Sequence, residues 1–165
     1  MYRGLKCRFM SHTKLYRPNV AAIIVAPEYP QEKRIFIAER SDIEGVWQFP
    51  QGGIDKGESS KEALFRELEE EIGTDRVEVI AKYPEWITYD FPKHIAKKMK
   101  PYIGQKQRYY LVRLKKSAQI NLETKHPEFS DYKFVPLEHL FDDLAHFKKP
   151  VYEQVIAYFT SEGYL

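Results

Sequence analysis

The 165-residue chain reads as an α/β domain. Strand-like apolar runs stand on both sides of one strongly marked helix, two more helical segments close the chain, and the length suits one hydrophobic core. Composition agrees: 43% of residues are hydrophobic and 30% charged, as in soluble globular proteins. No stretch approaches the roughly 18 apolar residues that cross a bilayer, so a membrane partner is not expected. Cys7 is the one cysteine, so no intramolecular disulfide forms, and no Cys/His group has zinc-ligand spacing. A disulfide scaffold and a zinc-stapled fold are excluded, and a reducing, cytoplasmic location is expected.

Met1 to Asn19 carries Arg3, Lys6, Arg8, Lys14 and Arg17 with no acid, and it lacks the apolar centre of a signal peptide. Residues 1–9 show no periodic pattern and read as a leader ahead of an alternative start at Met10. A single domain over residues 10–165 is expected.

Asn19 to Ala26 is a nearly continuous β-branched run and Arg34 to Glu39 has an apolar centre, so both read as buried strands joined by a Pro/Gln/Glu turn. A helix follows over Ser59 to Ile72. Ser59 with Glu62 makes a capping box, Gly73 supplies the left-handed stop, and Leu64, Leu68 and Ile72 form a stripe with Phe65 beside it. Val77 to Ala81, Ile87 to Tyr89, Arg108 to Leu114 and Tyr132 to Val135 read as further strands. Leu137 to Leu144 and Val151 to Phe159 read as helices, the last opened by Pro150.

The net charge of +2 conceals a segregation. Gly52 to Asp75 holds eight acids against three bases, a balance of −5, so the remainder carries +7. Lys93 to Lys116 holds nine Lys/Arg and no acid, with Tyr102, Tyr109 and Tyr110 interleaved. A compact acidic site inside a basic chain suits a cation held by carboxylates with a polyanion around it, although the basic block reads equally as a solvated face.

On the central helix, Glu67, Glu70 and Glu71 fall within an arc of about 100° beside the apolar stripe. Like charges at these spacings repel by about 0.2–0.5 kcal/mol per pair, so they need full solvation or a counter-ion. Oxygen ligands with no imidazole or thiolate suit Mg²⁺ or Mn²⁺. Periodicity alone favours a solvated Glu-rich helix.

The residues leading in change that reading. Gly52-Gly53-Ile54-Asp55-Lys56-Gly57-Glu58, seven residues, and then Arg66-Glu67-Leu68-Glu69-Glu70-Glu71-Ile72-Gly73 resemble the Nudix box, G-x5-E-x7-R-E-U-x-E-E-x-G-U with U apolar. Gly52, Glu58, Arg66, Glu67, Glu70, Glu71 and Gly73 match its fixed positions and Leu68 its first apolar one, whereas Thr74 departs at the last. Tyr16-Arg17-Pro18-Asn19-Val20, Trp47-Gln48-Phe49-Pro50-Gln51-Gly52-Gly53 and Gly104-Gln105-Lys106-Gln107 are similar to the bacterial RNA pyrophosphohydrolase and dinucleoside polyphosphate hydrolase branch.

This resemblance implies an α/β/α sandwich with a mixed β-sheet and hydrolysis of phosphoric anhydride bonds. It implies metal contacts at Glu67, Glu70, Glu71, Glu128 and the Gly52 backbone, with Glu58 and Arg66 as a structural ion pair. It implies substrate contacts at Arg17, Arg40, Phe147 and Lys148. A nucleobase stacked on Phe147 would be worth about 1–3 kcal/mol. Lys106 is a further substrate candidate, although alternation along a strand lets only Gln105 with Gln107, or Lys106 with Arg108, face a ligand. Trp47 and Phe49 read as packing.

The expected chemistry is attack of a water in line on phosphorus, with Mg²⁺ neutralising the transferring group and Glu70 accepting the proton. The leading substrate is the 5′ end of a tri- or diphosphorylated RNA, recognised at its end and not along a sequence, since no paired aromatic RNA-reading motif is visible. DNA is not an expected partner. Diadenosine tetraphosphate, cleaved to ATP and AMP, is the alternative substrate. A non-catalytic nucleotide- or RNA-binding module is the alternative class, and it would be expected to lack one of the three helix carboxylates.

Overall fold

The computed structural model describes residues 13–144 and 146–165. The expected leader and the alternative start at Met10 lie outside these. Strand β1 (Tyr16–Val25) is central: it runs parallel to β7 (Gly104–Leu114) and antiparallel to β2 (Arg34–Arg40) and β4 (Gln51–Gly53). The sheet is completed by β3 (Trp47–Gln48) and β8 (Phe129–Pro136) on β2, and by β5 (Val77–Lys82) and β6 (Ile87–Asp90) on β7. The result is a mixed sheet.

Alternation along β1 builds two cores. Val20, Ala22 and Ile24 face α1 (Ser60–Ile72), where Leu64, Leu68 and Ile72 are buried with Tyr110 and Val112. Ala21, Ile23 and Val25 face α4 (Lys149–Ser161) and pack with Tyr152, Val155 and Phe159. One helix therefore covers each face, as in an α/β/α sandwich.

Helix α1 has the ends its sequence dictates. Ser59 and Glu62 exchange both capping-box hydrogen bonds, and Gly73 sits at φ 73°, where only glycine is unstrained. Thr74, the departure from the motif, is buried and its hydroxyl accepts the Arg76 amide at 3.1 Å, so the helix end still packs.

Several boundaries differ from the sequence reading. β1 begins at Tyr16 and β7 at Gly104, because their parallel register from Tyr16↔Gly104 to Val25↔Arg113 pairs polar ends that carry no apolar pattern. The expected helix over 137–144 is a 3₁₀ turn (Leu137–His139) running into a one-turn α3 (Leu140–Asp143). Two short strands, β3 and β4, and a basic helix α2 (Lys93–Lys98) inside the β6–β7 connection were not expected.

Candidate active site

The site lies where β4 passes under α1. The register Val20↔Gly52 turns Gly52 toward the helix, and a Cβ there would overlap the Glu67 carboxylate. One residue earlier, the Gln51 amide donates to Glu71 Oε2 at 2.9 Å. Glu71 is 1% exposed, and its Oε1 is buried with no hydrogen-bond partner. Burial, and then the neighbouring Glu128 and Glu67 carboxyls, push its pKa well above the usual carboxylate range. Glu67 is also raised, by burial first, against the opposing pull of Arg66.

Arg66 ties this helix to its loop. Its Nε and Nη2 donate to the two Glu58 oxygens at 2.8 and 2.9 Å, Nη2 also donates to the Gly53 carbonyl at 2.8 Å, and Nη1 lies 2.7 Å from Glu67. The fork geometry matches guanidinium to carboxylate and holds Glu58 down to about 2. Glu70 is exposed and 3.3 Å from Arg66 Nη1. Glu128 precedes β8 in a loop anchored by Ser41, whose amide donates to the Glu128 carbonyl at 2.9 Å and whose hydroxyl donates to the Pro127 carbonyl at 3.1 Å.

These residues fit a divalent cation: an orphaned buried carboxylate oxygen, a second half-buried carboxylate, and a glycine backbone where any side chain would intrude. Among the described residues no three Asp, Glu, His or Cys side chains are gathered closely enough to hold a metal ion, and both Glu67 and Glu70 turn an oxygen toward Arg66.

Opposite the acids stand cations. A bulge at Glu39/Arg40 re-aims the end of β2, and Arg40 is held by Asp42 at 2.8 and 2.6 Å. Arg40 and Gln48 line both a cavity of about 370 Å³ that includes Gln51 and Glu128 and an adjoining one of about 160 Å³ that includes Phe147 and Lys148. Lys148 is 5% exposed; burial, then Arg40, lowers its pKa to about 7, with Glu71 opposing. Phe147 is 43% exposed at the rim, its ring 5.9 Å from that of Tyr89. Arg17 lies over Gly53, and its charge reaches Tyr89.

Lys106 is not brought beside Arg17, Arg40 or Lys148. It lies on the α1-facing side of β7, its ammonium 5.4 Å from the Trp86 ring centre, with Arg108 at 4.4 Å from the same ring. The partner pair, Gln105 and Gln107, takes the other side, because neutral amides tolerate burial once bonded: Gln107 donates to Asn19 and Gln51 at 2.7 Å and accepts from Tyr109 at 2.7 Å. Trp47 is half-buried beneath Lys133, and Phe49 packs on Tyr152. The sequence reading missed Tyr89, whose hydroxyl donates to Gln105, and also the buried Asn19–Gln107–Gln51 chain. Strand parity was the one signal for either.

This geometry has a family. A NUDIX domain model matches residues 15–155, so the chain belongs to the Nudix family and is a Nudix hydrolase, an enzyme of phosphoric anhydride bonds. Among its relatives is the RNA pyrophosphohydrolase of Campylobacter jejuni subsp. doylei, 63% identical over 156 residues, which are 94% of this chain and 100% of that protein. The RNA pyrophosphohydrolase of Nitratiruptor sp. is 64% identical over 92% of this chain and 97% of its own length. Solved structures share the fold at lower identity. The dihydroneopterin triphosphate pyrophosphohydrolase of E. coli aligns with a TM-score of 0.69 at 20% identity, over 88% of this chain and 97% of that one. A C. elegans Ap4A hydrolase complex aligns at 0.65 and 17% identity, over 88% and 98%. No helix among the described residues is long and apolar enough to cross a membrane.

Proposed function

We propose that this Nudix hydrolase removes pyrophosphate or phosphate from the 5′ end of tri- or diphosphorylated RNA and leaves a 5′-monophosphate. The observation that carries the reading is the meeting of acids and cations about one cleft: Glu128 and Gln51, both neighbours of the buried Glu71, line it with Arg40, and Lys148 lines the adjoining cavity that Arg40 shares. Such a meeting suits a polyphosphate bridged to carboxylates by a cation. The RNA pyrophosphohydrolase activity for which relatives at 63% and 64% identity are named supports the same substrate.

Glu67, Glu71, Glu70, Glu128 and the Gly52 backbone would hold Mg²⁺, or Mn²⁺ in its place. The ion supplies charge neutralisation on the phosphoryl group and acidifies a water. Glu128 already neighbours Glu71, and Glu70 is exposed, so rotation of its side chain away from Arg66 would bring it toward Glu67 and Glu71 without moving backbone. Glu70 accepts the proton of the attacking water at a carboxylate oxygen. Arg66, through Glu58 and Gly53, keeps the helix and loop in register, and Arg17, Arg40 and Lys148 orient the phosphates. Phe147, beside Tyr89, offers a face for the first bases.

Diadenosine tetraphosphate is a second reading, favoured by that Tyr89–Phe147 pair, which suits an adenine as well as an RNA base. A non-catalytic binding module fits poorly, since all three helix carboxylates are present. The test compares kcat/KM with Mg²⁺ on 5′-triphosphate RNA and on diadenosine tetraphosphate. The proposal expects the RNA end to be the better substrate, and preferential release of ATP plus AMP would overturn it. Binding of both without turnover would establish the module instead.

A further inference from the structure

The basic block beginning at Lys93 is not used by the site above, and the structure gives part of it a shape. Residues 91–103 form an excursion from the β6–β7 hairpin, closed by the Phe91 amide on the Ile103 carbonyl at 2.8 Å and carrying α2. The excursion begins directly after Tyr89 and Asp90, at the end of β6.

Helix α2 is a ridge with two faces. On one, His94 and Ile95 line the cavity that Arg40, Phe147 and Lys148 also line, and Lys98 stands near enough to Asp42 to help depress its pKa. On the other, Lys93, Ala96 and Lys97, at helical spacing, share a groove of about 700 Å³ with Lys100 and Tyr102 from the turn that follows the helix. Ala96 and Tyr102 are half-buried and the three lysines exposed. Among the described residues, none of Lys93, Lys97, Lys98 and Lys100 forms an ion pair. No Asp or Glu occurs between Phe91 and Leu114. An apolar groove walled by unneutralised lysines matches a ligand with a flat apolar part and regularly spaced negative charges, which is the chemistry of single-stranded RNA.

We propose that α2 holds the body of the RNA: the strand leaving the nucleotide cavity crosses the His94/Lys98 face and lies in the Lys93–Lys97–Lys100 groove, with phosphates on the lysines and a base against Tyr102. This inference rests on the RNA reading above and adds a binding surface to it. Contact is with backbone charge and base faces, so it is independent of sequence and sensitive to salt.

The test compares a 5′-triphosphate dinucleotide with a 5′-triphosphate RNA 12-mer on wild type and on the variant Lys93→Ser/Lys97→Ser/Lys100→Ser. Wild type should favour the 12-mer. The variant should lose about tenfold in kcat/KM on the 12-mer at low salt, with a salt slope shallower by about 2, and keep its rate on the dinucleotide. Equal effects on both RNAs, or none, overturn the inference while leaving the RNA reading intact. A wild-type enzyme that leaves both RNAs untouched defeats the RNA reading, and this surface with it. Should the serine variant fold poorly, the Lys93→Arg/Lys97→Arg/Lys100→Arg variant decides: charge is kept, so retention of the 12-mer preference and its salt slope is expected, and loss of that preference overturns the proposal.

Discussion

The backbone amide of Gln51 donates to Glu71 Oε2 at 2.9 Å, while the second oxygen of that carboxylate is buried and has no partner. A strand thus grips one end of a buried acid and leaves the other end unpartnered, where the proposed cation would bind. Without metal, that acid is a liability. Its folded pKa is raised, so its contribution to stability is intact below about 4.3, the unfolded value, and is lost as pH climbs toward the folded value. Glu71→Gln keeps a side chain of the same shape and removes the buried charge. The metal-free variant should melt higher than metal-free wild type at pH 8, by about 2–4 °C for each kcal/mol relieved, and should lose hydrolysis. Melting curves with chelator at pH 5 and pH 8 check this, since the gap should narrow at pH 5.

Gly52 presents the complementary relationship. A Cβ at this position meets the Glu67 carboxylate, so Gly52→Ala must displace either the strand or the acid. The backbone conformation is not the obstacle, so the fold should survive. Misplacing a group of the proposed metal site by about 1 Å should lower kcat/KM by about 10²-fold. Steady-state kinetics beside a melting curve separate this from unfolding.

Lys148 predicts a pH profile. With its pKa near 7, the free enzyme carries this charge below that value and loses it above. Reduced attraction for a polyphosphate should give kcat/KM a descending limb near pH 7. Lys148→Arg stays charged across the range, so the limb should disappear in that variant. His146 does not produce the limb, because burial holds its pKa down at about 4.

Much of this architecture was legible in residues with local signals. Ser59, Glu62 and Gly73 specify the ends of α1, and Leu64, Leu68 and Ile72 specify its buried stripe. β4 was not legible: it is three residues long, two of them glycine, and is held by register with β1 and not by pattern. α2 has no side-chain cap and no buried residue, so its six residues read as a charge run. In the site, the spacing of Glu67, Glu70 and Glu71 put them on one arc, yet Glu70 turns to Arg66, a rotamer that periodicity does not encode. Lys148 is expected from sequence as a substrate contact, but its burial has no local signal: it lies at the start of α4, 5% exposed, near the aromatic rings of Tyr89 and Phe147. Lys106 and Arg108 could be assigned a side only once β7 had been paired with β1 and β6.

The central claim is that a carboxylate-held cation and Glu70 convert a 5′-triphosphate RNA end to a monophosphate. The most direct measurement is single-turnover conversion of such an RNA by wild type and Glu70→Gln, each with Mg²⁺ and with chelator. Mg²⁺-dependent release of pyrophosphate or phosphate by wild type, slowed about 10²–10⁴-fold in a folded Glu70→Gln, is the predicted result. Conversion that persists in chelator, or a variant as fast as wild type, would contradict the account.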